Sequence, residues 1–358
     1  MTHSRDRPTR IAPRLLRWFD RHGRRNLPWQ HPREAYRVWL SEVMLQQTQV
    51  ATVIPYFLRF VEKLPNLAVL AAAPLDDVLA LWSGLGYYSR ARNLQRAAQV
   101  CVERHDGALP RDFHALAALP GIGRSTAGAI LAQAYGLRFA ILDGNVKRVL
   151  ARWRGVHGWP GKPDVAVQLW TIAERETPAR RSADYTQAIM DLGAGICSRT
   201  RPRCDECPLS DDCVARAHGL TAALPGRKPA RSVPTRQTIM LVLRDSHDRI
   251  LLERRPPTGV WAGLWSLPEA ASAAAARRRL AAVAPAGRVR IAFEPLGPFV
   301  HVFSHYRLEV TPLLTRIDAH ARIGDDIDRR WLHPRQAAAL GLPAPVRRLI
   351  ASLAASTG

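Results

Sequence analysis

The chain has 358 residues, enough for two ordinary domains, and 47% of them are hydrophobic, which excludes a disordered protein. Its formal net charge of +22 favours a polyanionic partner, and no apolar stretch approaches the roughly 18 residues that cross a bilayer. A membrane surface would satisfy the charge equally well, but no basic helix carries the large apolar face that insertion requires. Nucleic acid is therefore the expected partner.

The N-terminal half has a helical pattern. Its first 25 residues contain eight arginines, as a transit peptide does, but Asp6 and Asp20 interrupt them and the segment continues into sequence of folded character. We therefore expect a cytoplasmic protein. Apolar residues recur at intervals of three and four through Tyr36–Phe60, Leu75–Trp82 and Val165–Ile172, which predicts an all-α domain.

One acidic residue stands alone in an apolar helical segment. Glu42 is surrounded in sequence by Leu40, Val43, Met44 and Leu45. A glutamate on a helix usually belongs to a solvated face, but these neighbours favour a partly buried carboxyl. Burial raises the pKa of a carboxyl, so we expect Glu42 to keep its proton more easily than an exposed glutamate.

A glycine-containing turn follows at Leu119–Ile130, between two helical segments. Gly121 and Gly123 allow a sharp turn and leave amide groups directed outward at the start of the next helix, which suits a phosphate. A simple helical hairpin has the same signature. Combined with the high positive charge, the turn favours a DNA-binding helix-hairpin-helix, which holds the backbone without reading sequence.

A second carboxylate immediately precedes a predicted helix. Asp143 stands before an apolar face formed by Val146, Val149, Leu150 and Trp153. Its ordinary role is an N-cap, and a helix start favours the ionised form. A protonated acid paired with an ionised one is the arrangement that cleaves glycosidic bonds.

Four of the five cysteines fall close together, with the spacing Cys-x6-Cys-x2-Cys-x5-Cys: Cys197, Cys204, Cys207 and Cys213. A four-thiolate zinc site is one interpretation. Zinc sites more often pair two Cys-x2-Cys knuckles, so one tight pair with two single ligands favours a cubane iron-sulfur cluster. A disulfide framework is disfavoured, because there is no signal peptide and the remaining Cys101 lies in an apolar helical stretch.

The composition changes after residue 223. A segment rich in Pro, Gly and positive charge, 224–229, predicts a linker. The sequence beyond it predicts an α+β domain. Its expected strands are Thr238–Arg244, Arg249–Arg255 and Val302–Leu314, and its expected helices are Ala271–Val283 and Pro345–Leu353.

Taken together, these motifs resemble the MutY adenine DNA glycosylases, members of the helix-hairpin-helix superfamily that carry a [4Fe-4S] cluster. The resemblance covers nearly the whole chain and rests on Leu27-Pro28-Trp29, Ser41–Val50, Gly84–Arg90, Leu119–Ile130, Asp143–Val149 and the four cysteines. It implies an N-terminal all-α helix-hairpin-helix glycosylase fold with a [4Fe-4S] cluster loop, and a C-terminal α+β Nudix-like domain. The expected boundaries are 1–223 for the catalytic domain (hairpin 119–130, iron-sulfur loop 197–213), 224–235 for the linker and 236–358 for 8-oxoguanine recognition.

The resemblance also implies an activity. MutY enzymes remove undamaged adenine mispaired with 8-oxoguanine, or with guanine, in double-stranded DNA. Glu42 matches the acid that protonates adenine N7, Asp143 matches the carboxylate that stabilises the sugar cation, and Asn145 matches the residue that orients this site. Cys197, Cys204, Cys207 and Cys213 match the cluster ligands, and the enzyme is expected to be a monomer without a membrane partner.

Further residues match family positions that contact DNA. Tyr87 matches the wedge beside the oxidised guanine, and Gln47 matches the residue that fills the space left by the flipped adenine. For an aromatic residue such as Tyr87 or Trp29, the ordinary alternative is a place in the core. The other matched positions are Arg25, Leu27, Trp29, Leu45 and Gln187 in the pocket lining, Gly121, Gly123 and Ser125 in the hairpin, and Phe303, Ser304 and His305 in the loop that contacts 8-oxoguanine.

One residue of the hairpin differs from the related endonuclease III family, and this difference predicts the type of reaction. Endonuclease III glycosylases cut the strand with a hairpin lysine, and that position is Ser125 here. We therefore expect a monofunctional enzyme that leaves an abasic site, with Lys147 as the nearest amine that would trap one weakly.

The C-terminal sequence resembles a Nudix domain, through Leu251–Pro256 and Gly259–Glu269. The following helix, Ala271–Arg279, lacks the carboxylate cluster that holds magnesium in Nudix hydrolases. A recognition module is therefore expected. The remaining alternatives are a non-catalytic iron-sulfur DNA-binding protein, a Nudix nucleotide hydrolase and a zinc-dependent nucleic-acid module.

Overall fold

The protein divides into two compact units. One comprises the described residues of Met1–Ala72 and Arg96–Ala230, and the other those of Ala73–Gln95 and Arg231–Gly358. Residues 73–95 therefore pack with the C-terminal part of the chain, which the sequence does not predict. The computed structural model describes residues 11–229, 232–283, 292–303, 305–317 and 327–355.

The first unit is helical, as predicted. It contains α1 (Ala12–His22), α2 (Ala35–Leu45), α3 (Val50–Lys63), α4 (Leu67–Ala72), the C-terminal part of α6 (Ser89–Arg104), α7 (Phe113–Ala117), α8 (Arg124–Tyr135), α9 (Gly144–Arg154), α10 (Pro163–Glu176), α11 (Ser182–Asp191) and α12 (Val214–Ala217). A π-helical turn, Leu192–Ile196, directly continues α11, and two short 3-10 turns, Cys204–Glu206 and Ser210–Asp212, follow in the cysteine segment.

The apolar face predicted for α9 forms part of the core of this unit. Val146, Val149, Leu150 and Trp153 are all buried there, in one cluster with Phe19 of α1. Burial of each large apolar side chain contributes about 1.5 to 3 kcal/mol, so this face fixes the rotation of α9 about its axis. The residues that precede α9 are thereby fixed as well.

The second unit is built on a mixed sheet. Its strands are β1 (Thr235–Arg244), β2 (Ile250–Arg254), β3 (Trp265–Ser266), β4 (Glu269–Ala270), β5 (Glu294–Pro295), β6 (Phe299–Val302), β7 (Arg307–Arg316) and β8 (Arg329–Leu332). The main path of the sheet has the order β3-β2-β1-β7-β5. The long strands β1 and β7 are parallel, from the pair Thr235 and Arg307 to the pair Arg244 and Arg316. The helices of this unit are α5 (Leu75–Trp82), the N-terminal part of α6, α13 (Ala273–Val283), α14 (Pro334–Ala337) and α15 (Ala344–Ala355).

Side chains alternate along β1 between two apolar clusters. Met240 and Val242 belong to one cluster, and Leu241 and Leu243 to the other. Because successive residues of a strand point to opposite faces, the sheet is covered on both sides. Neither cluster alone would bury this strand.

Most of the predicted elements of this unit are confirmed, with one correction. The single extended stretch predicted at Val302–Leu314 is wrong, because β6 ends at Val302 and β7 begins only at Arg307. The intervening turn is closed by the Phe303 amide, which donates to the carbonyl of Tyr306 at 2.9 Å. Among the described residues, no helix has the length and apolar character that a membrane crossing requires.

Candidate active site

Glu42 and Asp143 line one cavity of about 890 Å³ in the first unit. Glu42 lies in the last turn of α2, and Asp143 is the N-cap of α9. Helices from distant parts of the sequence therefore bring the two predicted acids together. The same cavity is lined by Leu27, Trp29, Leu45, Gln47, Ser125, Asn145, Gln187 and other residues.

The carboxyl of Glu42 has one hydrogen-bond donor from a neighbouring helix. The side-chain amide of Gln133 in α8 donates to Glu42 Oε1 at 2.7 Å. Burial raises the pKa of Glu42 to about 7, the Gln133 hydrogen bond opposes the rise, and the charge of Asp143 adds to it. Glu42 is thus half-protonated near neutral pH, when an exposed glutamate is ionised.

Asp143 has a more polar environment. Its Oδ1 accepts a hydrogen bond from the Val146 amide at 2.8 Å, as an N-cap does. The pKa of Asp143 is raised, because burial outweighs the lowering effects of backbone hydrogen bonds from Val146 and Asn145 and of the charges of Arg148 and Lys147. The sequence predicts the stabilising effect of the helix start but not the burial that opposes it.

Arg148 connects Asn145 to the segment that carries the first clustered cysteine. Its Nη2 donates to Asn145 Oδ1 at 2.8 Å and to the carbonyl of Gly193 at 2.7 Å, and its Nε donates to the carbonyl of Cys197 at 2.7 Å. Gly193 lies in the π-helical turn, where a Cβ would come within 2.6 Å of Asn145 Cβ. Asn145 is therefore held by the hydrogen bond from Arg148 and by the close backbone of Gly193.

The structure brings four of the five residues predicted for the pocket lining to this cavity. Leu27, Trp29, Leu45 and Gln187 line the cavity, but Arg25 does not. The guanidinium of Arg25 is directed to Asp20, at 2.8 Å. The preceding residue, Arg24, lines the cavity instead, because its guanidinium forms two hydrogen bonds with Asp191, of 2.7 and 2.9 Å.

Other predicted residues have identifiable local roles. Gln47 lines the cavity with a left-handed backbone (φ 59°), in the turn between α2 and α3. Gly121 is also left-handed (φ 78°), in the turn that joins α7 to α8, and Gly123 is the N-cap of α8. Ser125 Oγ accepts a hydrogen bond from the Leu142 amide at 2.9 Å, which attaches the hairpin to the segment before Asp143.

Tyr87 lies at a different cavity, within the second unit. Tyr87, Phe303 and His305 all line this cavity of about 420 Å³, together with Trp261 and His301. The ring of Tyr87 is 50% exposed, so it is not an ordinary core aromatic. Ser304 lies outside the described residues.

The loop that carries Tyr87 has an unusual backbone. Tyr87 has a left-handed φ of 48°, and Gly84 and Gly86 also have positive φ. The buried guanidinium of Arg90 lies 5.6 Å from the Tyr87 ring centroid and donates to the carbonyls of Leu85 and Gly86, at 3.3 and 3.2 Å. A strained conformation persists only where its surroundings fix it, and Arg90 supplies such contacts.

The four clustered cysteines line one cavity. Burial raises the pKa of Cys207 to about 12, and the charges of Cys197, Cys213 and Cys204 raise it further, so the four thiols lie within electrostatic reach of one another. Arg152 Nη1 donates to Cys197 Sγ at 3.4 Å. A buried guanidinium beside a sulfur stabilises a thiolate, the form that binds metals.

Two family models match the chain, and curated relatives match nearly all of it. Residues 40–175 match the HhH-GPD superfamily of base-excision DNA repair proteins, and residues 239–352 match the NUDIX domain. An adenine DNA glycosylase of Buchnera aphidicola subsp. Acyrthosiphon pisum is 35% identical, over 94% of this chain and 95% of its own length. The chain belongs to the MutY-type adenine DNA glycosylase family.

A mammalian relative and a solved structure are also similar to the chain. The adenine DNA glycosylase of Mus musculus is 35% identical, over 90% of this chain and 74% of its own length. Among solved structures, a thermostable thymine-DNA glycosylase superposes with a TM-score of 0.53 at 27% identity, over 58% of this chain and 95% of its own. An adenine DNA glycosylase is a hydrolase of N-glycosyl bonds that acts on DNA in base-excision repair.

Four residues of the glycosylase site escaped the sequence analysis. Their partners lie far away in sequence: Arg24 binds Asp191, Gln133 binds Glu42, Arg148 binds Gly193, and Gly193 lies against Asn145. Only Gln133 had a usable signal, because a glutamine on the small, apolar α8 needs a buried partner. The other three are two of the many arginines and one of the many glycines of the chain.

Proposed function

We propose that this enzyme removes adenine mispaired with 8-oxoguanine, or with guanine, by acid-assisted hydrolysis of the N-glycosidic bond. The observation that carries the proposal is the pair of carboxyls on one cavity, Glu42 and Asp143, whose surroundings differ. Glu42 has one neutral amide donor, whereas Asp143 has two backbone donors and two nearby cations. Burial raises the pKa of both carboxyls, and we assign the one proton of the pair to Glu42 because Asp143 has more neighbours that stabilise a carboxylate.

The proposed reaction uses this difference. Adenine swings out of the duplex into the cavity, at a cost of roughly a few kcal/mol in lost stacking. Protonated Glu42 gives its proton to adenine N7, and the C1′–N9 bond breaks with its electron pair passing to the base. The ionised Asp143 stabilises the positive charge on the sugar, by its field or by a transient covalent bond, and Asn145 orients this group. Water then adds at C1′ and loses a proton, which leaves an abasic site.

Ser125 in the hairpin supports a monofunctional reaction, which removes the base without cutting the strand. Strand cleavage requires an amine that attacks C1′ and forms a Schiff base, but Ser125 has a hydroxyl, and that hydroxyl already accepts the Leu142 amide. Lys147 is the nearest amine to Asp143 in sequence. In borohydride trapping we expect little crosslink and no scission at neutral pH. A strong crosslink that Lys147→Ala abolishes, with scission, would contradict the monofunctional reaction.

Recognition of the opposite base is assigned to the second unit. Tyr87, Phe303 and His305 line the 420 Å³ cavity, and Phe303 and His305 belong to the proposed recognition loop. Tyr87 is the proposed wedge in the base stack, and Gln47 fills the space that the adenine leaves. The nearby carboxylates of the Nudix-like sheet, Glu253 and Glu269, are paired with arginines, which favours recognition over magnesium-dependent hydrolysis.

The proposed cofactor is a [4Fe-4S] cluster held by Cys197, Cys204, Cys207 and Cys213. These thiols line one cavity, yet within the described part of the chain no three metal-ligating side chains are placed to hold a single ion. The spacing of the four cysteines supports a cluster over zinc, because zinc sites more often pair two Cys-x2-Cys knuckles. The four thiolates would hold the cluster and so would fix the 197–213 loop. Iron and sulfide analysis, with visible absorption, distinguishes it from zinc.

The central experiment measures adenine release under single-turnover conditions. Duplexes with A opposite 8-oxoguanine, G, C or T are incubated with excess enzyme and then treated with alkali to cut at abasic sites. We expect release opposite 8-oxoguanine and G only. Glu42→Gln keeps the shape and the Gln133 contact but cannot donate a proton, so it is expected to bind DNA and lose at least 100-fold in rate, as general acids typically contribute that much.

The matched control for that variant is Glu34→Gln, a glutamate of the same helix region that lies outside the cavity lining. Its release rate is expected to equal that of the wild-type enzyme. A Glu42→Gln enzyme with the wild-type rate would remove Glu42 from the chemistry.

A further inference from the structure

Trp261 combines two features that are seldom found together in a bulky residue. Its backbone is left-handed, with φ of 57°, and its ring lines the same cavity as Tyr87. Tyr87 is also left-handed, so two strained aromatic residues face this one cavity. A large side chain in this conformation costs free energy and persists where surrounding contacts enforce it, often at functional sites.

The loop around Trp261 is fixed from both sides by arginines. Arg92, in α6, donates from Nη1 to the carbonyl of Ala262 at 2.6 Å. Arg255 donates from Nε to the carbonyl of Val260 at 3.0 Å, and its guanidinium lies 5.6 Å from the Trp261 ring centroid. Arg255 is itself paired with Glu269. The carbonyls before and after Trp261 are therefore both bound, and the left-handed turn cannot relax without losing them.

The ring of Trp261 contacts the predicted recognition loop. Its centroid lies 5.1 Å from that of Phe303 and 5.5 Å from that of His301. Phe303 in turn contacts His301 at 4.5 Å and the buried Tyr306 at 4.6 Å. Phe303 is thus enclosed by rings on several sides, whereas His305 is exposed. This packing anchors Phe303, which lies two residues before the exposed His305.

We infer that Trp261 is a positioning and specificity-determining residue for the base opposite adenine, acting through Phe303. It holds Phe303 at the cavity that Tyr87 and His305 also line, so that His305 meets an oxidised guanine at a fixed position. The inference rests on the proposed recognition role of this loop, and adds a residue outside the loop to it.

The test is the ratio of single-turnover rates on A:8-oxoguanine and A:G duplexes, measured below saturation. Within one preparation, inactive protein cancels from this ratio, so a merely structural loss leaves it unchanged. Trp261→Ala removes the ring but keeps a Cβ in the left-handed turn, and Trp261→Gly removes the ring and the strain. Both are expected to lower the ratio by roughly fivefold to tenfold, the size of one or two ring contacts. Trp261→Phe keeps a ring and is expected to retain most of it.

Two further variants make the test specific. Trp331→Ala truncates a buried tryptophan of the cluster on the opposite face of the sheet, and is expected to leave the ratio unchanged. If Trp261 acts through Phe303, the double variant Trp261→Ala/Phe303→Ala has the ratio of Phe303→Ala alone. Losses that multiply instead would contradict action through Phe303.

The two proposals fail in different ways. A wild-type ratio in Trp261→Ala, in an enzyme whose ratio falls on His305→Ala, overturns the role of Trp261 and leaves the recognition loop intact. A wild-type enzyme that does not prefer 8-oxoguanine, or whose preference is indifferent to His305→Ala, overturns the recognition role and the inference with it.

Discussion

The contact between Gln133 and Glu42 leaves the Glu42 carboxyl suited to donating a proton. The amide of Gln133 donates to Glu42 Oε1, which leaves the other carboxyl oxygen to carry the proton. Burial raises the pKa of Glu42 to about 7, which is close to the pH at which the enzyme is expected to work. A general acid is most effective when its pKa matches the working pH.

The raised pKa of Glu42 predicts how the rate of adenine excision depends on pH. The active form is protonated, so the single-turnover rate falls as the pH rises through about 7. The Gln133 hydrogen bond favours the ionised form and lowers the pKa. Gln133→Leu removes it and is expected to move the alkaline limb to higher pH by about one unit, because hydrogen bonds to charged groups contribute about 1.5 to 3 kcal/mol. The measurement is a rate profile from pH 5 to 9.

Gln168→Leu is the control for this profile, since Gln168 lies on the exposed face of α10. It is expected to keep the wild-type profile. A Gln133→Leu limb that moves to lower pH, or stays in place, would show that the Gln133 amide does not stabilise the ionised carboxylate.

The sequence predicts the acids better than their partners. An acid in an apolar helix and an acid before a helix are local patterns, so Glu42 and Asp143 could be found from neighbours alone. Gln133 is 91 residues from Glu42, and its contact depends on how α2 packs on α8. The choice between Arg24 and Arg25 depends on Asp191 and Asp20, which compete for adjacent arginines. The periodicity of the local sequence does not indicate which of the two arginines each aspartate binds.

At the scale of elements, the π-helical turn Leu192–Ile196 determines where Asn145 can lie. One extra residue per turn brings the backbone of Gly193 against Asn145, and its carbonyl accepts Arg148 Nη2. π-helical turns are rare and frequently occur at functional sites. Here the turn joins α11 to the cysteine segment while contacting the start of α9.

Two glycines of this turn provide a matched pair of variants. Gly193→Ala is expected to displace Asn145, because the new Cβ would lie 2.6 Å from Asn145 Cβ. Gly195→Ala adds the same atom in open space. We expect the Gly193 variant to lose at least tenfold in single-turnover excision, the scale on which misplaced catalytic groups act. Gly195→Ala is expected to match the wild-type rate. Equal rates in the two variants would exclude this contact as a determinant of the site.

Local sequence patterns predict β1 but not the turn between β6 and β7. The apolar run within Thr238–Arg244 predicts a strand, and both faces of β1 are buried in the structure. The extended pattern at Val302–Leu314 also predicts one strand, but the chain turns between Val302 and Arg307. Phe303 in this turn packs on Trp261, which is distant in sequence, so no local pattern reports that contact.

At the scale of the molecule, residues 73–95 belong with the C-terminal part of the chain. Asp76 binds Arg254 through two hydrogen bonds of 2.7 Å. The Tyr88 hydroxyl donates to the carbonyl of Leu342 at 2.9 Å, and a Cβ at Gly341 would lie 2.9 Å from Leu79 Cβ. The loop that carries Tyr87 is therefore supported by residues that follow the linker by more than a hundred positions.

Removing the C-terminal residues is accordingly predicted to disturb more than recognition of the oxidised base. In a chain that ends at residue 229, Leu79 loses its contact with Gly341 and Tyr88 loses its hydrogen bond to Leu342. Each large apolar side chain that becomes exposed to water lowers the free energy of unfolding by about 1.5 to 3 kcal/mol. Hydrogen exchange of residues 73–95 is expected to lose protection relative to the full chain, while α9 keeps it. Excision from A:G duplexes is expected to fall as well, because the wedge residue is on the loosened segment. Unchanged protection of 73–95 together with the full A:G rate would mean that this segment is held by the first unit instead.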